Sequence, residues 1–313
     1  MENYYLALNI ISCALLSGLS LFYFYPFLCR YTLDFPNQRS SHIKPVPSSG
    51  GISFVLIGTL GCLTLGELRP LALIPIAITG FIDDYIKLPA ILRYMVQLIT
   101  CIWIIIYSQN AILNSNSNFI SFIILILFLL FCSTAIINFT NFMDGIDGLV
   151  AGCVAVILLT YSYLYSDSYL PFFGAIIGFL FWNWSPAKIF MGDLGSTFLG
   201  ALLVEIIINT PDYKNLIAMI LISIPLLLDP IFTLILRIKY KQPIFQAHRS
   251  HLYQRLCLSG LSHASVSLIY ICATLVNSLV FINFGLSITF LTSLIIICTG
   301  FYLNKKVAKP FSI

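Results

Sequence analysis

The sequence predicts an all-α, polytopic membrane protein. Of its 313 residues, 59% are hydrophobic and only 9% are charged, and the mean hydropathy is +0.96. A soluble domain carries about 25% charged residues and roughly 45–50% apolar residues. Long apolar runs in a bilayer are predicted to be helices, because a helix satisfies its backbone hydrogen bonds within its own segment. The composition therefore excludes a soluble protein and indicates a single transmembrane domain over residues 1–313.

Eleven apolar runs are predicted to span the membrane. A spanning helix needs roughly 20 residues, with about 17 at the short end, and the third and seventh runs are the shortest of the set. The first run lacks a basic leader and a small-residue cleavage site, so it is expected to be a retained helix. The predicted spans are about 4–29, 51–67, 70–82, 91–108, 119–137, 148–166, 169–183, 195–210, 215–235, 264–282 and 285–303.

Lysine and arginine are unequally divided between the predicted loops. Eleven spans place the two termini on opposite sides. If the C-terminus is cytoplasmic, that side carries fourteen of the sixteen basic residues, and the other side keeps only Arg69 and Lys214. The positive-inside rule then places the N-terminus outside and the C-terminus in the cytoplasm. The net charge of +4 is therefore a topology signal, and no binding to nucleic acid is expected.

Five predicted cytoplasmic loops contain most of the unusual polar residues: 30–50, 83–90, 138–147, 184–195 and 236–263. All four histidines lie there. Polar groups from several loops on one face indicate a functional site. Acids near helix ends also offset basic loops, which is the simpler explanation for any single aspartate. The aspartates in these loops are Asp34, Asp83, Asp84, Asp144, Asp147 and Asp193.

Asp83 and Asp84 are adjacent at the end of the third predicted span. Two neighbouring carboxylates repel each other, so the pKa of one is raised unless a cation or metal lies beside them. One is therefore a candidate proton acceptor and the other its organiser. Lys87, about one helical turn further on, is suited to neutralise the pair or to hold a phosphate.

Two further loops offer oxygen ligands. The stretch N-F-T-N-F-M-D-G-I-D-G at 138–148 supplies amide and carboxylate oxygens, and F-M-G-D-L-G-S at 190–196 places Asp193 between two glycines. Oxygen ligands suit Mg²⁺, which takes one or two protein carboxylates together with substrate phosphates; Mn²⁺ is the alternative metal. The spacing is not that of an EF-hand. Ser196 is the expected cap of the helix that follows Asp193.

The longest cytoplasmic loop contains H-R-S-H-L-Y-Q-R at 248–255. On a helix, His248 and His251 would share a face, and with Arg249 and Arg255 they would form a cationic cluster suited to a pyrophosphate. No cysteine or third histidine stands at zinc spacing, so a zinc site is discounted. His263 is expected to be structural. His42 lies in a Pro-, Ser- and Gly-rich loop of unassigned role.

A cytoplasmic, membrane-embedded site with carboxylates and phosphate-binding cations indicates phosphoryl transfer onto or from a lipid. A secondary transporter would instead place acids near the bilayer midplane, and only Glu205 and Asp229 lie within predicted spans. A membrane prenyltransferase also pairs aspartates with Mg²⁺, but its N-D-x-x-D clusters do not match this chain well.

Five motifs occur in one order over about residues 34–256: D-F-P-N-Q-R-S-S-H, D-D-Y-I-K, N-F-T-N-F-M-D-G-I-D-G-L, F-M-G-D-L-G-S and H-R-S-H-L-Y-Q-R-L. Together they resemble the polyprenyl-phosphate N-acetylhexosamine-1-phosphate transferases, glycosyltransferase family 4. The resemblance implies a Mg²⁺-dependent enzyme of the bacterial inner membrane with a cytoplasmic active site. It would transfer a sugar-1-phosphate from a UDP-N-acetylhexosamine to undecaprenyl phosphate and release UMP, as the first membrane step of O-antigen or other cell-envelope polysaccharide synthesis.

The resemblance also implies roles for single residues. Asp193 would ligate the metal with Asn141 nearby, and Asp83 would deprotonate the lipid phosphate. Asp144 and Asp147 would lie near the nucleotide. The expected catalytic residues are Asp83, Asp84, Asp193, His248 and His251, the expected substrate-binding residues are Lys87, Asn138, Asp144, Asp147 and Arg249, and the expected metal ligands are Asp193 and Asn141.

Two features depart from parts of that family. The histidine motif lacks the three-histidine run of the muropeptide branch, and it is more similar to the O-antigen-initiating branch. The loop P-V-P-S-S-G-G at 45–51 has no basic residue before its glycines, where that branch usually has one, so its role is left open. The residues do not decide between direct attack and a covalent aspartyl-phosphate. We expect direct attack, since a lipid-anchored nucleophile is already well placed. A homodimer is one arrangement that the sequence leaves open.

Overall fold

The structure, a computed structural model, describes residues 2–36, 44–108, 118–243, 246 and 248–311. The chain is helical, as predicted. Its described strands are β1 and β2, an antiparallel pair of two residues each in which Leu33 lies opposite Pro47. His42 lies outside the described residues. The helices are α1 (Glu2–Tyr31), α2 (Ile52–Thr64), α3 (Ile74–Ile86), α4 (Ala90–Ile106), α5 (Phe119–Phe142), α6 (Leu149–Leu164), α7 (Leu170–Asn183), α8 (Gly192–Ile208), α9 (Tyr213–Lys239), α10 (Leu252–Leu258) and α11 (His263–Lys306), and the strands are Leu33–Asp34 and Val46–Pro47.

Each predicted span has a helix at its position, and α11 contains the last two, separated by non-helical backbone at Gly285 (φ 74°, ψ −174°). By length and composition, α1, α5, α9 and α11 can cross a membrane. Helices α2 and α3 have 13 residues each, or about 20 Å, which is shorter than the roughly 30 Å hydrocarbon core. The long apolar helices are those of a polytopic membrane protein, while the number and direction of the spans stay predictions.

Helix α8 lies at the centre of the bundle, packed against α3 and α5. Every residue of α8 from Leu194 to Ile208 is buried. The peripheral helices instead carry large apolar side chains on the surface, such as Phe22 on α1 at 67% exposure and Phe131 on α5 at 71%. Extended apolar surface of this kind suits contact with lipid. The predicted metal ligand Asp193 therefore stands at the entry to the most buried helix.

A buried polar side chain compensates for a proline inside α9. Pro225 has no backbone N–H, so the carbonyl of Leu221 loses its intrahelical donor. Asn277 Nδ2 donates to that carbonyl at 2.8 Å, and Thr292 Oγ1 donates to Asn277 Oδ1 at 2.9 Å. Because Asn277 and Thr292 lie on opposite sides of Gly285, this network joins α9 to both halves of α11.

A second buried polar cluster surrounds Arg69, which is one of the two basic residues predicted to lie on the non-cytoplasmic side. Arg69 Nε donates to Glu67 Oε1 at 2.8 Å and lies 3.8 Å from Glu205 Oε1. Glu205 also accepts a hydrogen bond from the Tyr169 hydroxyl at 3.1 Å. These contacts give Glu205 a structural role within the bundle.

Two helix ends differ from the prediction. Helix α5 continues to Phe142, so Asn138 and Asn141 occupy its last turns rather than a loop. Helix α8 begins at Gly192, three residues before the apolar run. Ser196 therefore lies inside α8, where its hydroxyl donates to the Gly192 carbonyl at 3.0 Å, and the prediction that it caps the helix is wrong. A carboxylate from α3 takes the capping position.

Candidate functional site

All five predicted loops contribute to one polar cavity of about 340 Å³. Lys87 and His263 supply the basic groups of its wall. Carboxylates outnumber these groups, and closely spaced carboxylates repel each other unless a cation lies between them. The cavity is thus suited to bind a cation as well as a polar ligand. Its acidic lining residues are Asp34, Asp84, Asp144, Asp147 and Asp193.

Asp84 caps the N-terminus of α8. Its Oδ1 accepts the N–H of Asp193 at 2.9 Å, and its Oδ2 lies 3.4 Å from the N–H of Leu194. The first N–H groups of a helix have no partner within the helix, so an external carboxylate stabilises its start. The Ser49 hydroxyl donates to the same Oδ2 at 2.6 Å. Asp84 is therefore placed to position Asp193.

The loop at 45–51, whose role the sequence left open, binds the segment before Asp193. The N–H of Gly50 donates to the Phe190 carbonyl at 2.9 Å, and the N–H of Gly51 donates to the Met191 carbonyl at 3.1 Å. Ser49 is fully buried and adopts a positive φ of 62°, an uncommon conformation for a non-glycine residue. The loop thus fixes the backbone around Asp193 and supplies the hydroxyl that binds Asp84.

Asp83 is buried, at 2% exposure, and both of its carboxylate oxygens are engaged. The N–H of Leu88 donates to Oδ1 at 2.6 Å, and Arg93 Nη1 donates to Oδ2 at 2.9 Å. Arg93 Nη1 also lies 3.5 Å from Asp193 Oδ2. In the sequence, Arg93 contributes only to the excess of basic residues on the predicted cytoplasmic side. Its sequence context does carry a signal. Arg93 is a charged residue at the start of an apolar run, ten positions after Asp83, and charged residues within a membrane segment are usually functional.

A second cavity of about 570 Å³ lies between α3, α4, α5, α8 and α9. Its wall is mainly apolar, with Arg93 and Asn138 among its polar groups. Asn138 Nδ2 donates to Gln97 Oε1 at 2.9 Å. Asn141 and Asp193 line both cavities, and Asn141 Nδ2 donates to Asp193 Oδ1 at 3.1 Å. A polar and an apolar cavity therefore meet at the two predicted metal ligands.

The two aspartates of the 138–148 stretch have opposite pKa shifts. Burial, together with the neighbouring carboxylates, raises the pKa of Asp144 well above its ordinary value. Burial alone would also raise the pKa of Asp147, but His263, the N–H of Ala187 and Ser185 outweigh it and lower that pKa. Asp147 is thus held as an anion, while Asp144 carries its charge only at a cost that a nearby cation would relieve.

The histidine segment differs most from the prediction. His248 and His251 precede α10 rather than sharing a helix face, although their ring centroids are 4.9 Å apart. Asp229 accepts the N–H groups of Leu252 at 2.7 Å and Tyr253 at 3.0 Å. This buried carboxylate of α9 therefore determines where α10 begins, and Asp229, like Glu205, has a structural partner.

The cationic cluster expected in that segment is smaller than predicted. Burial and the nearby His251 and Arg237 lower the pKa of His248 to about 4, so this imidazole is neutral near pH 7. Arg255 is buried and donates to the Ser250 carbonyl at 3.0 Å, which makes it structural. In the described part of the chain, His248, Arg249 and His251 do not line the polar cavity. Their predicted roles toward substrate stay predictions.

No group of three or more His, Cys, Asp or Glu side chains among the described residues is arranged to hold a metal ion. Asp193 and Asn141 are adjacent, but two side chains would supply only part of a coordination sphere. Such a partial site is typical of Mg²⁺, which relies on substrate phosphates and water for its other ligands.

Known proteins are similar to this chain over long stretches of its sequence. The family model described as glycosyl transferase family 4 matches residues 70–210. A Bacillus subtilis (strain 168) protein named probable undecaprenyl-phosphate N-acetylglucosaminyl 1-phosphate transferase is 31% identical over 265 residues, which cover 76% of this chain and 74% of the relative. The chain belongs to glycosyl transferase family 4.

Other family 4 relatives bear two kinds of name. An undecaprenyl-phosphate alpha-N-acetylglucosaminyl 1-phosphate transferase of Thermotoga maritima is 31% identical over 173 residues, 55% of this chain and 54% of the relative. A phospho-N-acetylmuramoyl-pentapeptide-transferase of Wolbachia pipientis wMel is 30% identical over 241 residues, 63% of this chain and 73% of the relative. The region that matches the family 4 model contains Asp83, Asn141 and Asp193 and ends before the histidine segment.

Gly192 provides a test of the geometry at this family 4 site. Its φ is +73°, and a Cβ there would lie 2.2 Å from Asp84 Oδ2 and 2.7 Å from the Ser49 nitrogen. We expect Gly192→Ala to separate Asp84 from α8 and to lower turnover by about 10- to 100-fold, as for the loss of an outer-shell partner. The measurement is the initial rate of product formation. Gly300→Ala is the control, since nothing lies within 4 Å of its Cβ position; equal rates for both variants would contradict the geometry.

Proposed function

We propose that this family 4 protein transfers a sugar-1-phosphate from a UDP-N-acetylhexosamine to undecaprenyl phosphate and releases UMP. The observation that supports this most strongly is the meeting of the polar and apolar cavities at Asn141 and Asp193. A nucleotide sugar is fully polar, whereas a polyprenyl phosphate is a long apolar chain with one charged end. The two cavities match these two chemistries, and their shared wall is where the reacting phosphates would meet.

The acceptor phosphate would lie beside Arg93 at the polar end of the apolar cavity. A guanidinium holds phosphate well because it offers five donors in a rigid fork, and Arg93 is held by Asp83 through Nη1. Its side chain is 40% exposed and lines the apolar cavity. An acceptor oxygen would attack the phosphorus that carries the sugar. The bond from that phosphorus to UMP would break, and UMP would leave with the electron pair.

The donor would occupy the polar cavity. Lys87 lines that cavity and would supply positive charge for the donor phosphates, and Arg249 is proposed to approach them from the histidine segment. Asp147 is held as an anion, so it would repel phosphate and accept hydrogen bonds from N–H or hydroxyl groups of the nucleotide. Asp144 lines the same cavity and is proposed to lie near the nucleotide. His248 and His251 are proposed to act near the pyrophosphate.

We propose Mg²⁺ as the metal, with Mn²⁺ as the alternative, held by Asp193 and Asn141. The fit rests on the excess of carboxylates in the polar cavity. It also rests on the raised pKa of Asp144, since a nearby cation would stabilise the ionised carboxylate. When bound, the metal would neutralise charge on the transferring phosphates.

The proposed setting is the bacterial inner membrane, with eleven spans, the N-terminus outside and the active site in the cytoplasm. The division of basic residues, fourteen against two, supports this orientation. The bundle also supports an enzyme over a transporter, because Glu205 and Asp229 both have structural partners.

The test is an assay of purified protein with undecaprenyl phosphate, Mg²⁺ and a panel of UDP-sugars, scored by UMP release. We expect release with a UDP-N-acetylhexosamine, with UDP-N-acetylglucosamine as the first sugar to test because two relatives are named for it. Omitting undecaprenyl phosphate should stop the release, which separates transfer from hydrolysis. No UMP with any sugar would rule out the proposed function.

The same panel addresses the pathway. The absence of a three-histidine run supports initiation of O-antigen or another envelope polysaccharide over transfer of a muramoyl pentapeptide. UDP-N-acetylmuramoyl-pentapeptide is therefore expected to be a poor donor. If it were the best donor, the protein would belong with the relatives named phospho-N-acetylmuramoyl-pentapeptide-transferase.

A further inference from the structure

His263 is the first residue of α11 and lines the polar cavity. Its Nδ1 lies 3.2 Å from Asp147 Oδ2, with 18% of the histidine side chain and 9% of the aspartate side chain exposed. The same Oδ2 accepts the N–H of Ala187 at 3.2 Å. Asp147 is thus held from two sides, by a side chain about 116 residues later in the chain and by the backbone of the loop before α8.

A second contact joins α11 to the same aspartate. Ser267, one helical turn after His263, donates its hydroxyl to the Asp147 main-chain carbonyl at 2.7 Å. The next residue, Gly148, donates its N–H to Asn183 Oδ1 at 3.0 Å. The backbone around Asp147 is therefore fixed independently of His263. What His263 adds is the position and charge of the carboxylate.

We propose that His263 is a positioning residue for the donor, acting through Asp147. This inference rests on the proposed function, in which the polar cavity takes the nucleotide sugar. Asp147 and His263 line the polar cavity and are not part of the wall of the apolar one. An oriented, ionised carboxylate accepts hydrogen bonds from hydroxyl or N–H groups and repels phosphate. His263 therefore sets recognition of the nucleoside end of the donor and leaves the acceptor unaffected.

The test is steady-state kinetics of the full-length protein with each substrate varied in turn. His263→Ala is expected to raise KM for the UDP-sugar roughly tenfold, as for loss of one charge-assisted contact, with little change in kcat or in KM for undecaprenyl phosphate. His263→Asn is expected to restore KM most of the way, since the asparagine amide nitrogen can take the place of Nδ1. Equilibrium binding of UMP, measured by calorimetry, should weaken in His263→Ala by a similar factor.

Ser267→Ala is the matched control. It removes a bond from the same helix to the same residue but leaves the carboxylate contact. The backbone there is still held by the bond from Gly148 to Asn183, so donor KM should change by less than about twofold. If His263 only attached α11 to the loop, the two alanine variants would behave alike. If His263→Ala does not fold, His263→Gln takes its place in the same kinetic comparison. The glutamine amide lies one bond farther from the backbone and cannot replace Nδ1.

The outcomes separate this inference from the proposed function. A wild-type protein that releases no UMP rules out both the proposed function and the role of His263. An active wild type combined with unchanged donor KM and UMP binding in His263→Ala overturns the inference alone. A rise in KM for both substrates, or no recovery in His263→Asn, assigns His263 a merely structural role.

Discussion

Asp193→Asn is expected to reduce turnover by about 10³-fold or more, because metal-assisted charge stabilisation contributes several kcal/mol and each 1.36 kcal/mol is about tenfold in rate. Asparagine preserves the size of the side chain and its contact with Asn141 but removes the negative charge that would hold Mg²⁺. It also leaves the backbone N–H that Asp84 accepts. The measurement is UMP release over a range of Mg²⁺ concentrations, and high Mg²⁺ is expected to restore little activity.

Asp212→Asn is the matched control for that substitution. Asp212 also stands at a helix start, where its Oδ1 accepts the N–H of Asn215 at 2.9 Å, but it lies outside both cavities. Its replacement should leave the Mg²⁺ dependence unchanged. A wild-type rate in Asp193→Asn at any Mg²⁺ concentration would show that Asp193 is not the metal ligand.

Asp83→Asn is expected to lower kcat by about 10²-fold or more, within the range for a group that acts on proton transfer or on its positioning. The sequence suggested a proton acceptor. The structure supplies a second role, because both carboxylate oxygens are hydrogen-bonded and one of them holds Arg93 at 2.9 Å. We expect the anchoring of Arg93 to dominate, since the acceptor phosphate is a monoester whose second pKa is about 6.

A double-mutant cycle with Arg93→Ala distinguishes the two roles. If Asp83 acts by holding Arg93, the double variant should be no slower than the slower single variant, because the two side chains work as one unit. The loss in Asp83→Asn should also be the same at pH 6 and pH 8.5. Independent, multiplicative losses that shrink as the pH rises and the acceptor loses its own proton would instead support a general base.

The sequence was sufficient to predict the helical class, the positions of the helices and the segments that form the site. Hydropathy records which segments are apolar, and the motifs mark Asp83, Asn141 and Asp193. The sequence was not sufficient to predict contacts between residues that lie far apart in the chain. Ser196 was expected to cap α8 because the apolar run begins at Gly195, but the N–H groups at the helix start bind Asp84, which lies 109 residues away from Asp193.

Arg93 and His263 were missed as site residues for the same reason. Neither stands in a motif with spacing of its own, and each acquires a role only when α4 or α11 is placed against the site. For the histidine segment, the shared helix face considered for His248 and His251 rests on their spacing alone. In the structure α10 starts one residue after His251, since Asp229 binds the N–H groups of Leu252 and Tyr253, and no local pattern reports that contact.

The burial of α8 has a consequence for how such proteins diversify. Asp193 lies in the first turn of a helix in which every residue from Leu194 to Ile208 is buried, so a substitution along that helix would disturb its packing. The nucleoside side of the polar cavity is built instead from loops and helix ends, such as Asp147 and the first turn of α11, which tolerate change more easily. Sequence change is therefore accommodated more readily at the loops and helix ends that line the polar cavity than along α8.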